Sequence, residues 1–346
     1  MDLQIFTESA HMKLLFALPL AFLCIVCYAQ TNTKAFQPGK IWYDVDNHPI
    51  NAHGAGILFH HGTYYLFGEI KQGRTWLVPG QSWECYRTDA GGVSCYSSKN
   101  LTDWKYEGVA LAPDKTNPGH DLHTSRVLER PKVIYNDKTK KFVMWLHIDA
   151  QDYGLGRSGV AVSNRPEGPY TYLTCFRPNN QMSKDQTLFK DDNGTAYQIF
   201  SSEDNKVMHI SRLSDDYLSA SGHEIRLLIN KSREAPALFK RKGKYYLITS
   251  ACSGWDPNAA LLCVADSIMG KWTELYNPCV GTDAHTSFNT QSTFVLKVQN
   301  NPDEFIFLAD RWNKTDLQNS RYVWLPLHFV NDTAVIAWKD SWRLNQ

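Results

Sequence analysis

The stretch Arg233-Glu234-Ala235-Pro236-Ala237-Leu238-Phe239-Lys240-Arg241-Lys242-Gly243-Lys244-Tyr245-Tyr246-Leu247-Ile248-Thr249-Ser250 decides the fold. It reads as a β-hairpin: an apolar strand, a charged turn at Gly243, and a return strand of aromatic and β-branched residues. Four other stretches repeat it, at residues 56–69, 131–147, 186–200 and 292–309. Each is followed by a weaker hairpin with a turn rich in Ser, Asp, Asn or Gly, as at 97–104 and 266–272. The main turns lie near 62, 138, 194, 243 and 301, with gaps of 76, 56, 49 and 58 residues. Two hairpins make four strands, and four-stranded units repeated radially make an all-β, five-bladed β-propeller, whose ring leaves only short edges. The alternatives are a β-sandwich or two β-domains. The repetition, spanning residues 40–343, favours the ring.

Composition narrows the function classes. Of 346 residues, 43% are hydrophobic and 13% aromatic, which suits a large core and surfaces that stack on sugar rings. Net charge is +1 with no basic block, so nucleic acid has no electrostatic footprint. Residues 1–29 read as a secretory signal peptide: Met12-Lys13, the truer start, precedes the apolar run 14–27, and cleavage is expected after Ala29. That implies a secreted or periplasmic protein with no membrane segment after processing. Lipoprotein anchoring through Cys24 or Cys27 is disfavoured by the bulky residues before each. Six cysteines then remain, with Cys85–Cys95 and a pair among Cys252, Cys263 and Cys279 as the local disulfide candidates. No cysteine or histidine cluster has zinc spacing.

The first strand of each blade lines the central channel, so polar residues at its mouth converge. Those positions hold His53-Gly54, Glu129, Asp185, Glu234 and Gln291 in blades one to five. Three carboxylates and an amide at one structural address point to a site. Glycoside hydrolysis needs a carboxylic acid to protonate the leaving oxygen and a second group to activate water or attack the sugar. Crowded carboxylates raise the pKa of one of their number, which is what the acid requires. Tyr153, Trp255 and Trp312 are candidate sugar platforms, though each also suits blade packing.

The chain resembles glycoside hydrolase family 43, and most of all its exo-β-1,3-galactanase subfamily. The resemblance rests on Asn51-Ala52-His53-Gly54-Ala55-Gly56, Tyr64-Tyr65-Leu66-Phe67-Gly68-Glu69, Glu129-Arg130-Pro131-Lys132-Val133-Ile134-Tyr135-Asn136 and Asp185-Gln186-Thr187-Leu188-Phe189. Ser201-Ser202-Glu203-Asp204-Asn205, Arg233-Glu234-Ala235-Pro236-Ala237, Gln291-Ser292-Thr293 and Ala309-Asp310-Arg311-Trp312-Asn313 complete it. It implies that Glu234 is the general acid and that Asp185 tunes and orients it. Most of the family places a catalytic-base aspartate at the mouth of blade one, where this chain has His53-Gly54-Ala55-Gly56. In the subsidiary group a glutamine takes that role as its imidic-acid tautomer, and Gln291 matches it. The rival is that Gln291 only positions water while Glu129 or Glu69 takes the proton. Inversion at the anomeric carbon, also implied, predicts roughly 6.5–9.5 Å between acid and base.

Several expectations follow. The substrate is β-1,3-galactan or arabinogalactan oligosaccharide, cut from the non-reducing end by a monomer in which residues 30–346 form one propeller without a carbohydrate-binding module. Glu69, Glu129 and Asn205 are candidates for reading the axial C4 hydroxyl of galactose. Arg311 either contacts sugar or pins a ring carboxylate. Propellers of this kind can hold a central metal ion, which His53 or His285 would approach; two histidines without a ligand set give no cofactor. The alternatives are an α-L-arabinofuranosidase or β-xylosidase, or a carbohydrate-binding propeller without catalysis.

Overall fold

Alternation along each strand feeds two cores at once. In Tyr245-Tyr246-Leu247-Ile248, side chains two apart share a face. Tyr245 and Leu247 join a cluster with Tyr197, Ile199, Met208 and Ile210. Tyr246 and Ile248 join another with Phe305, Phe307, Val323 and Leu325. A strand buried on both faces reads as a continuous apolar run, and these do.

The computed structural model describes Met1 and residues 34–344 apart from 300 and 302. The expected signal peptide at 1–29 therefore lies outside the described residues except for Met1. Among the described residues the strands form four four-stranded sheets, one five-stranded sheet and one two-stranded hairpin. Blade one comprises His53–His60, Thr63–Lys71, Ala90–Ser98 and Lys105–Leu111. Blade two comprises Val127–Asn136, Lys141–Asp149, Arg157–Ser163 and Thr171–Phe176, and blade three Gln186–Lys190, Ala196–Ser202, Val207–Leu213 and Ala220–Leu227. Blade four is Arg233–Arg241, Lys244–Ala251, Leu261–Ala265 and Thr273–Glu274. Blade five is Gln291–Lys297, Phe305–Arg311, Arg321–Val330 and Thr333–Ala337, with Cys279–Val280 added in parallel at its edge. The fold is the expected all-β five-bladed propeller.

Five hydrophobic clusters hold the ring, one at each junction of neighbouring blades, and the cluster between blades five and one closes it. In that last junction the Tyr322 hydroxyl accepts from Ala52 N at 2.8 Å. Phe36 and Trp342 also bridge there through their backbones and stack at 4.3 Å. Among the described residues no helix is long and apolar enough to cross a membrane. All six cysteines from Cys85 to Cys279 are free thiols, so neither of the candidate local disulfides is formed.

The inner strands carry the feature that positions the site. Blades one, two and four each break register near the mouth, at His53/Gly56, Glu129/Lys132 and Glu234/Ala237. The residue after each mouth position is left-handed: Gly54, Arg130 and Ala235 have φ of 55°, 53° and 52°. This is a β-bulge, which bends the strand and re-aims a side chain. Of the mouth residues expected just ahead of the strands, His53, Glu129, Glu234 and Gln291 lie within them, and Asp185 alone precedes its strand.

Candidate active site

The bulges and strand ends of all five blades surround a cavity of about 500 Å³. Glu69, Glu129, Tyr153, Asp185, Asn205, Glu234, Trp255, Gln291 and Trp312 line it together. Arg311 does not: it donates to the Phe288 carbonyl at 2.8 Å and lies 5.2 Å from the Trp338 ring, a bracing role away from any ring carboxylate.

Glu234 Oε1 accepts from Gln291 Nε2 at 2.9 Å, and Oε2 from Asn205 Nδ2 at 3.3 Å. Burial disfavours its anion and the negative charge of Asp185 adds to this, so its pKa rises to about 8. Asp185 is held by Arg130 Nη2 at 3.0 Å and by Ala235 N at 3.1 Å. The bulge after Glu234 thus fastens the aspartate that tunes it.

Gln291 has no free hydrogen-bonding group. Its Oε1 accepts from Arg130 Nη2 at 2.5 Å and Trp312 Nε1 at 3.0 Å. Both partners can only donate, which assigns the amide oxygen without ambiguity. Nε2 faces Glu234 and also donates to Ser250 Oγ at 3.1 Å. This corrects the expected spacing: the amide touches the carboxyl and leaves no room for water between them. The two donors on Oε1 also favour the ordinary amide over the imidic acid, whose oxygen carries a hydrogen.

A second cluster faces the first. Lys71 Nζ bridges Glu69 Oε2 at 2.8 Å and Glu129 Oε1 at 3.0 Å, and the Tyr153 hydroxyl donates to Glu129 Oε1 at 3.0 Å. Burial alone would push Glu129 up, but Lys71, His147 and Arg87 outweigh it and hold the carboxyl at about 2. Glu69 moves the other way: burial raises it, Lys71 opposes and Glu129 adds to the rise. Lys71 also lies 5.6 Å from the Trp255 ring and 5.8 Å from that of Trp312.

The sequence model of glycosyl hydrolases family 43 matches residues 57–318. The chain belongs to glycosyl hydrolase family 43. Among solved family 43 structures it is similar to a β-1,3-galactosidase bound to galactodeoxynojirimycin, at 42% identity and TM-score 0.83 over 89% of this chain and 100% of that one. It is 34% identical to an exo-β-1,3-galactanase from Phanerochaete chrysosporium solved with β-1,3-galactotriose, over 90% of this chain and 68% of that one, with TM-score 0.79. An exo-β-1,3-galactanase from Clostridium thermocellum is also 34% identical, over 89% and 66% of the two chains, with TM-score 0.77. No curated protein sequence matches the chain.

Within this family 43 site, sequence reasoning missed Lys71, Arg130 and His147. Their signal was pairing: His147 lies opposite Glu129 across its hairpin, as Glu69 lies opposite His53 and Ser250 opposite Glu234. His147 Nε2 is 3.0 Å from Asp149 Oδ2, while its Nδ1 is buried without a hydrogen-bond partner and 3.9 Å from Glu129 Oε2. A substrate hydroxyl can satisfy it.

Metal ligation fits this site poorly. His53 is buried against Asp310 and Tyr322, whereas His285 is exposed on the turn Ala284–Thr286, so neither belongs to a ligand set. Glu129, His147 and Asp185 bring ligand atoms within 4.8 Å, but Lys71 and Arg130 already supply the cations those carboxylates need.

Proposed function

We propose that this family 43 hydrolase is an inverting exo-acting enzyme that releases galactose from the non-reducing end of β-1,3-galactan, the arabinogalactan backbone. The observation that carries the reading is Glu234, a carboxyl whose pKa lies near 8, touching Gln291 in a cavity lined by Trp255 and Trp312. The names of the similar structures supply the sugar. Glu234 gives its proton to the glycosidic oxygen as the bond from C1 to that oxygen breaks, and water attacks C1 from the opposite face. Asp185 keeps Glu234 protonated, and Arg130 holds Asp185 and Gln291 in one frame.

Glu129, Glu69, Tyr153 and Asn205 bind the terminal galactose, with Trp255 and Trp312 as platforms. Gln291 meets water only after substrate draws its Nε2 away from Glu234; ionised Glu129 is the competing proton acceptor. We assign the protein to the secreted or periplasmic compartment on its amino-terminal residues, and it acts as a monomer.

Incubation of wild type, Glu234→Gln and Gln291→Ala with β-1,3-galactotriose tests this. Galactose of inverted (α) configuration from wild type, with both variants nearly inactive, is the expected result. Galactose from Gln291→Ala at the wild-type rate transfers water activation to Glu129. Binding of galactotriose without release by wild type overturns the enzyme in favour of a lectin.

A further inference from the structure

Blade one is longer than its neighbours because residues 72–89 leave its sheet between the second and third strands. They form a hairpin, Trp76–Leu77 paired with Tyr86–Arg87, extended by a bond from Val78 N to Cys85 O at 2.9 Å. Residues 79–84 form the tip, and Trp83 within it lines the cavity.

The tip is fastened on three sides. On blade two, the Trp83 ring lies 5.6 Å from that of Tyr153. On blade four, Trp83 leaves only 3.2 Å to where a side chain on Gly254 would begin. On blade five, Lys314 Nζ joins Glu84 Oε2 at 2.5 Å to Asp256 Oδ1 at 2.9 Å, tying blades one, four and five through one ammonium. Among the described residues, no hydrogen bond, ion pair or ring contact ties the tip to blade three. That is the side from which Asp185 and Asn205 reach Glu234.

We infer that this strap decides where the polysaccharide ends in the site. It walls the cavity opposite blade three, so the sugar that receives its proton from Glu234 has no room for a further residue behind it. The leaving chain departs over blade three. The exo mode of the proposed function is thus assigned to a single insertion whose key residues are Trp83, Glu84 and Lys314. The inference rests on that proposed function.

The test is the product pattern from β-1,3-galactan at low conversion. Val78 and Cys85 face each other as a bonded pair, so replacing residues 79–84 with Asn-Gly closes the hairpin by a tight turn and removes the tip. Wild type should give galactose alone. The shortened variant should give galactobiose and longer oligosaccharides at least tenfold above the wild-type background, with kcat/KM on galactotriose about tenfold lower. Trp83→Ala and Lys314→Met, which keep the full loop, should give smaller amounts of the same products and serve if the shortened chain does not fold. Galactose as sole product from folded, active variants overturns the strap's role. A wild type that releases nothing from galactotriose overturns the exo-galactanase reading itself, and the strap's assignment with it.

Discussion

Glu234 keeps its proton near neutrality because its anion would sit unhydrated beside the charge of Asp185. An acid catalyst works while protonated, so kcat/KM on galactotriose should fall as pH rises through about 8. Burial raises the Glu234 pKa most; replacing Asp185 with Asn removes the second cause, its negative charge, and leaves only burial to oppose the lowering by Arg130. The basic limb of the pH profile should therefore move to lower pH; an unmoved limb would show that burial alone sets the acid. Glu234→Gln should cost roughly 10²–10⁴ in rate. Lys71 is a different case. Its ammonium separates two buried carboxylates, so Lys71→Met should destabilise the fold by about 3–5 kcal/mol, read by chemical denaturation. A Tm and midpoint equal to wild type would mean that one carboxylate simply takes up a proton.

At the scale of the strand, the bulge does the aiming. Gly54 shows what it demands: φ is 55°, and a Cβ there would fall 2.4 Å from Glu69 Oε1. Gly54→Ala should cost about 1–3 kcal/mol in stability and weaken galactose binding by displacing Glu69, measurable as a raised KM beside a lowered Tm. The sequence made the mouth positions legible, because a polar residue recurs ahead of five similar hairpins. It hid the bulges, because Pro131 and Pro236 look like residues that precede a strand. Each instead lies within a bulge on an innermost strand, one of the few sheet positions that accept proline. Reading the hairpin partners would have found His147 and Ser250. Arg130 and Lys71 were less accessible: each was adjacent to, or two residues from, a named glutamate, but Arg130 pairs with Asp185 and Gln291, and Lys71 with Glu129, across blade boundaries. Trp83 had a signal in the 76-residue gap between the first two turns, the widest of the four.

For the whole molecule, the five junction cores make stability a property of the ring, and the last of them depends on the chain's two ends meeting. Trp342 stacks on Phe36, and its Nε1 donates to the Trp324 carbonyl at 2.8 Å. Trp342→Ala should cost about 2–4 kcal/mol, lowering Tm while leaving kcat/KM at 25 °C within about twofold of wild type. A larger loss of activity than of stability would mean that the closure also shapes the site. Ring closure was legible from repetition alone. The state of the cysteines was not, since six thiols allow many pairings and the sequence alone does not place them in space.

Glu69, Glu129, Asp185, Glu234 and Gln291 come one from each blade. No arc of the propeller, however well folded, is therefore a weaker version of the enzyme; it is not an enzyme. A refolding chain can recover its β-sheet signal blade by blade, but turnover must wait for the first blade to find the fifth. Regained activity should lag regained circular dichroism, and two complementary fragments, each inert, should become active only on mixing.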